Sequence, residues 1–149
     1  MKKREIEVMA RGVCVVHGQL LLCRTKGANH TYLPGGHVEF FEPVRESLRR
    51  EIEEELGMKS RVGRFLGAVE HHYTRKKKRI CEVNFCFEVK VFGLKAGKKP
   101  RSMEDHLGFE WTPVRNLAHC DLEPRVLKRV LKAWMSEKGS DRWASTYEQ

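Results

Sequence analysis

The chain has 149 residues, 40 % hydrophobic and 33 % charged, which suits one compact domain with a core of its own and removes any need for disulfides or a structural metal to hold it together. A net charge of +9 favours polyanionic partners, from nucleotides to nucleic acid and acidic surfaces, without choosing among them. No apolar run reaches the roughly 18 residues of a membrane span, and the basic start, MKKREIEVMARG, leads into no apolar stretch of signal-peptide type, so the expectation is a cytoplasmic protein with no membrane partner.

Val8 to Val16, VMARGVCVV, is rich in β-branched residues and predicts a strand. His17-Gly18-Gln19 is a turn and Leu20 to Cys23 a second short strand, so the two form a hairpin. Arg24 to Asn29 is a polar loop, and Tyr32-Leu33-Pro34-Gly35-Gly36 steps into a glycine loop. Pro43 to Leu56 predicts a helix: Pro43 suits the first turn, Gly57 the stop, and Val44, Leu48, Ile52 and Leu56 recur every four residues as one apolar stripe. Arg61 to Tyr73 and Ile80 to Phe92 predict strands joined by the basic turn Thr74 to Arg79, a long antiparallel hairpin. Gly93 to His106 is a Gly/Lys loop, Phe109-Glu110-Trp111 a short strand, and Pro113 to Leu117 a turn or single helical turn. Pro124 to Lys138 predicts a second amphipathic helix, with Val126, Leu127, Val130, Leu131 and Trp134 inward, and residues 139–149 a loose polar tail. Hairpin strands with two interspersed helices argue for an α/β (α+β) architecture, an α/β/α sandwich with a mixed sheet between helices, in a single domain over 1–149. The cysteines Cys14, Cys23, Cys81, Cys86 and Cys120 are odd in number with no CxxC spacing, and read as reduced, mostly buried small residues.

The charge is unevenly placed. Residues 36–58 hold seven Glu against three Arg, a net −4, so the rest carries +13. Glu51, Glu54 and Glu55 stand at i, i+3 and i+4 on one helix face. Like charges at that spacing cost about 0.2–0.5 kcal/mol per pair, and acids in the last turns also oppose the helix dipole. A bound Mg²⁺ or Mn²⁺, which takes hard oxygen ligands, removes both costs. The plainer alternative is a solvated acidic face with ordinary i,i+4 pairs, Arg49–Glu53 and Arg50–Glu54. The Pro34-Gly35-Gly36 loop just before the helix favours the metal, because its backbone can turn sharply and approach a ligand closely.

Gly36-x5-Glu42-x7-Arg50-Glu51-Ile52-x-Glu54-Glu55-x-Gly57-Met58 matches the Nudix box, GX5EX7REUXEEXGU, at every fixed position, over 23 of the 149 residues. By this motif the chain resembles the Nudix hydrolases (MutT-like), and the surrounding strand and helix pattern is similar to their fold. The resemblance implies a Mg²⁺- or Mn²⁺-dependent hydrolase that cleaves the diphosphate bond of a nucleoside diphosphate linked to another group, with water attacking phosphorus. It implies Glu51, Glu54 and Glu55 as metal ligands with a carbonyl of Gly35 or Gly36, and one glutamate as general base. Arg50 would orient a glutamate through a charge-assisted pair, making Arg50, Glu51 and Glu54 the candidate catalytic residues.

Glu42 is expected to support the loop–helix junction and to contact metal through water. In some members an acid from a distant loop completes the site, a place Glu104 and Asp105 fill. Many members have Gly before the first box glutamate; here Phe41 follows Phe40, a pair read as packing. Where a proline about fifteen residues past the box would suggest ADP-ribose, Tyr73 stands, and a tyrosine near there is seen in dinucleoside polyphosphate hydrolases. Glu42, Tyr73, Glu104 and Asp105 are therefore the substrate-side candidates, and His71-His72-Tyr73 reads as a strand end that could also stack a base. The basic turn Arg75 to Arg79 reads as a solvated hairpin tip, able to steer phosphorylated substrates. The expected partner is a nucleotide-like small molecule rather than nucleic acid, with a homodimer left open. A catalytically silent nucleotide sensor and an RNA-cap-directed hydrolase are the alternatives.

Overall fold

The computed structural model describes residues 4–138 and 141–147. Eight strands and two α-helices follow in the order β1 (Ile6–Val13), β2 (Val15–Val16), β3 (Gln19–Thr25), β4 (Gly35–His37), α1 (Val44–Leu56), β5 (Ser60–Arg75), β6 (Lys78–Val91), β7 (Leu107–Pro113), α2 (Leu127–Met135) and β8 (Trp143–Ser145), with a 3₁₀ helix, Val114–His119, after β7. A five-stranded mixed sheet has the order β4-β1-β6-β5-β8, with β1–β6 and β5–β8 parallel and the other pairs antiparallel. A three-stranded antiparallel sheet has the order β2-β3-β7. The strand expected over Val8 to Val16 is thus divided at Cys14: its first part lies in the larger sheet and β2 pairs with β3 in the smaller.

Two apolar clusters hold the layers together. Leu48, Ile52 and Leu56 of α1 pack on Ala10, Leu21, Cys23, Phe87 and Val89. Leu127, Leu131 and Trp134 of α2 pack on Val13, Leu20, Leu22, Leu66 and Val69. β3 sends Leu20 and Leu22 to one helix and Leu21 and Cys23 to the other, which explains its unbroken apolar run: a strand covered on both faces has no solvent side. The result is the expected α/β/α sandwich. Each fully buried Leu or Ile contributes about 1.5–3 kcal/mol. Among the described residues no helix is long and apolar enough to cross a membrane, and all five cysteines are free thiols.

Several boundaries differ from the sequence reading. Helix α2 is shorter than Pro124–Lys138, because Glu137 takes a left-handed φ of 60° and ends it. The polar tail is not loose throughout: residues 139, 140, 148 and 149 lie outside the described residues, but Trp143–Ser145 forms β8 alongside β5. The Trp134 indole donates to the Asp141 carbonyl at 3.0 Å, and Arg142 donates to the Trp134 carbonyl at 2.8 Å, so α2 itself docks the tail. Finally, β5 runs on past Tyr73 to Arg75, and the hairpin turns on Lys76 and Lys77, both at positive φ.

Candidate active site

Helix α1 starts after Pro43 and stops at Gly57, whose left-handed φ of 67° lets its N–H return to the Glu53 carbonyl at 2.8 Å. The Met103 N–H donates to the Glu55 carbonyl at 2.8 Å, so the loop before β7 is fastened to the end of α1. This brings Glu104 beside the helix acids, where its charge raises the pKa of both Glu51 and Glu55. In the turn, Leu107 N–H bonds the Glu104 carbonyl at 3.2 Å, which leaves Glu104 on the cleft and the next residue, Asp105, exposed and outside the cleft lining.

The Gly35-Gly36 loop forms β4 against β1 and reaches α1 at van der Waals contact. Gly35 has φ +136°, and a Cβ there would lie 2.0 Å from the Ala10 carbonyl oxygen. A Cβ on Gly36 would lie 2.5 Å from the Glu51 carboxyl carbon. Only glycine admits this approach.

Of the four glutamates at the fixed positions of the box, Arg50 bonds Glu42, Glu51 and Glu54, and Glu55 lies buried beyond its reach. Arg50 grips Glu42 through Nε at 2.7 Å and Nη2 at 2.9 Å, and its Nη1 reaches Glu51 at 3.0 Å and Glu54 at 3.3 Å. Nη2 also bonds the His37 carbonyl at 3.1 Å, which ties the glycine loop to the helix. The guanidinium holds the Glu42 carboxyl down to about 2. Glu42 is therefore Arg50's partner, a brace for the loop rather than a group turned to the cleft. Of the two ordinary ion pairs weighed from the sequence, Arg50–Glu54 forms, whereas Arg49 pairs with Glu46 and Glu53 with Lys59.

Glu51 and Glu55 are the acids at the inner end. Burial pushes Glu51 up despite Arg50. Burial pushes Glu55 up to about 8, against the opposing pull of Arg11, and the residue is 3 % exposed. Its Oε2 is buried without a hydrogen-bond partner among the described residues, which is costly for a carboxylate. Among the described residues no three His, Cys, Asp or Glu side chains already converge as a metal cage. The donor set nonetheless suits Mg²⁺, which is typically held by one or two carboxylates together with waters and substrate phosphates.

Glu51, Glu55 and Glu104 line one cleft of about 970 Å³ together with Gly35, Gly36 and Tyr73. Tyr73 stacks on His71 at 5.3 Å between ring centroids, with 25° between the planes, so these rings pave the far end. Phe40 and Phe41 do not pack into the core. They meet edge-on at 4.5 Å and are 89 % and 93 % exposed, and Phe41 carries the left-handed φ of 62° that a glycine would adopt freely. The cleft also holds three residues not singled out above: Arg11 on β1, and Glu82 and Asn84 on β6. Their signal was polar side chains inside otherwise apolar strands, VMARGVCV and ICEVNFCF, the latter pair two apart and so on one face.

A family model described as NUDIX domain matches residues 5–134. The chain belongs to the NUDIX family, and with it to the hydrolases of pyrophosphate bonds, a family that generally uses divalent metals. Its fold is similar to that of the E. coli ORF135 protein in solution, with a TM-score of 0.68 at 21 % identity over 92 % of this chain and 96 % of that one. The MutT NUDIX hydrolase from Burkholderia pseudomallei gives 0.61 at 25 % identity over 89 % and 98 %. A UDP-X diphosphatase gives 0.66 at 20 % identity over 97 % of this chain and 69 % of that one. No curated protein sequence matches the chain.

Proposed function

We propose that the protein hydrolyses the phosphoanhydride bond of a nucleoside diphosphate linked to another group, by attack of water at phosphorus, with Mg²⁺ or Mn²⁺ as cofactor. The observation that carries this reading is Glu55: a carboxylate buried at the mouth of a glycine loop, its Oε2 unpartnered, with Glu51 and Glu104 close enough to raise its pKa. A carboxylate in that setting is stabilised by a cation it can share with a diphosphate. Glu51 and Glu55 would hold the ion, with a backbone carbonyl of Gly35 or Gly36 beside them and Glu54 joining from the Arg50 side. When bound, the metal would neutralise the diphosphate and lower the pKa of water.

The chain's own residues do the rest. Arg50 aligns Glu51 and Glu54 through one guanidinium, so its part is positioning. One of the cleft carboxylates takes the proton of the attacking water, and the basicity that burial raises suits Glu51 and Glu55 to that task. His71 and Tyr73 offer a stacking surface for a base at the other end. Hydrolysis in ¹⁸O-water with Mg²⁺, followed by mass spectrometry of the products, tests the reaction type. One ¹⁸O per turnover in a phosphate-bearing product is expected, and label at carbon or no label overturns it.

A further inference from the structure

Arg11 sits where a cation is hard to justify by stability. It lies on β1, between β4 and β6, in a strand whose residues Met9, Ala10, Gly12 and Val13 are buried. Its Nε donates to Asn84 Oδ1 at 3.2 Å and its Nη1 to the Leu33 carbonyl at 3.1 Å, and its guanidinium lies 5.4 Å from the Tyr32 ring centre. Asn84 is 1 % exposed and donates through Nδ2 to Glu82 Oε1 at 3.0 Å, and Glu82 is 7 % exposed. This chain of bonds determines the amide's orientation: with Nδ2 committed to Glu82, only Oδ1 can face the guanidinium. Asn84 and Glu82 of β6 with the Leu33 carbonyl thus set one guanidinium in a single pose, which is how Arg differs from a flexible lysine.

The pose leaves capacity unused. Arg11 makes no ion pair among the described residues, and its Nη2 has no hydrogen-bond partner there. Arg11 lines the same cleft as Glu51 and Glu55 of the acidic end and His71 and Tyr73 of the stacking end, and its charge is felt at both Glu55 and Tyr73. A diphosphate spanning those ends brings charge that one divalent ion at the acidic end does not cover. A planar guanidinium with spare N–H groups matches a phosphate's oxygens two at a time.

We propose that Arg11 grips the substrate phosphate that carries the nucleoside, on the base side of the broken bond, and that Asn84 and Glu82 are positioning residues that hold Arg11 for it. The inference rests on the hydrolase reading of the same cleft.

The test is calorimetric titration, with Mg²⁺ present, of inorganic pyrophosphate and of an α,β-methylene nucleoside diphosphate. The proteins are wild type, Arg11→Ala, Arg11→Lys, Asn84→Ala and Glu82→Gln, each checked by thermal melting. Arg11→Ala is expected to weaken both probes about ten- to a hundredfold, the scale of a charge-assisted bond. Arg11→Lys recovers little of this, Asn84→Ala and Glu82→Gln lose less, and Mg²⁺ alone binds all five alike. If Arg11→Ala does not fold, Arg11→Lys decides with the same sign. Equal pyrophosphate affinity in wild type and Arg11→Lys overturns the proposal, as does a loss confined to the nucleoside analogue, which makes Arg11 a reader of the base. A wild type that hydrolyses nothing yet binds pyrophosphate through Arg11 overturns the hydrolase reading and keeps Arg11 only as a phosphate grip. Full kcat/KM in Arg11→Lys does the reverse.

Discussion

Replacing Glu55 by glutamine separates the electrostatic cost of this carboxylate from its use. In the folded, metal-free protein Glu55 has its pKa raised to about 8 from an ordinary 4.5. The folded state therefore binds a proton that the unfolded state releases between those values, and stability must fall as pH rises through that window. Protonated Glu55 contributes no penalty below about pH 4.5. By pH 7 the ionisation mismatch costs about 3 kcal/mol, against about 1 kcal/mol at pH 5. Glutamine does not titrate, so the fixed cost of burying its amide cancels when two pH values are compared. Urea denaturation in EDTA at pH 5 and pH 7 should show Glu55→Gln gaining about 2 kcal/mol on wild type between them. Adding Mg²⁺ at pH 7 should raise the midpoint of wild type and leave that of Glu55→Gln nearly unchanged. A wild type and variant that stay parallel across pH, or that respond equally to Mg²⁺, would refute both the burial argument and the place given to Glu55.

Gly36→Ala puts a methyl group onto the Glu51 carboxyl and should abolish the Mg²⁺-induced rise in melting temperature; a rise equal to wild type would show that Glu51 is not a ligand. Arg50→Lys cannot reproduce the simultaneous grip on Glu42, Glu51 and Glu54, so kcat should drop at least tenfold with KM little changed, and steady-state kinetics will show whether the fork matters. Phe41→Gly relieves a left-handed aromatic and should stabilise the protein by about 1 kcal/mol in chemical denaturation without altering kcat. Lys76→Ser with Lys77→Ser removes two exposed cations beyond Arg75, which lines the cleft; kcat/KM for a polyphosphorylated substrate should fall severalfold at low salt and converge with wild type at high salt, where screening shortens to a few ångströms.

The parts of this molecule legible in the sequence are those with local causes. The stripe Val44, Leu48, Ile52 and Leu56, opened by Pro43 and closed by Gly57, predicts α1 to within a residue. The apolar runs around the basic turn predict the β5–β6 hairpin. The division of the first strand at Cys14 was not legible, because each half continues the same β-branched pattern and only pairing partners distant in sequence separate them. The tail strand was hidden for a related reason: Trp143–Ser145 is short, and what recruits it is Trp134 and Arg142 rather than its own propensity. In the site, spacing places Glu51, Glu54 and Glu55 on one face, yet spacing cannot say that Arg50 draws Glu54 outward while Glu55 goes inward. Glu104 belongs to the cleft only because Met103 closes the end of α1, a contact across 48 positions of sequence. Arg11, Asn84 and Glu82 are joined across parallel strands β1 and β6, a pairing no local pattern announces.

Phosphate release by the wild-type protein and by Glu51→Gln decides whether this cleft is a metal-dependent hydrolase. The panel is nucleoside triphosphates, ADP-ribose, NADH, sugar nucleotides and dinucleoside polyphosphates, each with Mg²⁺ and with EDTA. Metal-dependent turnover of at least one of them is expected, lost in EDTA and reduced at least a hundredfold by Glu51→Gln. Turnover that persists in EDTA or in Glu51→Gln, or tight binding of these compounds with no turnover by the wild type, would contradict it.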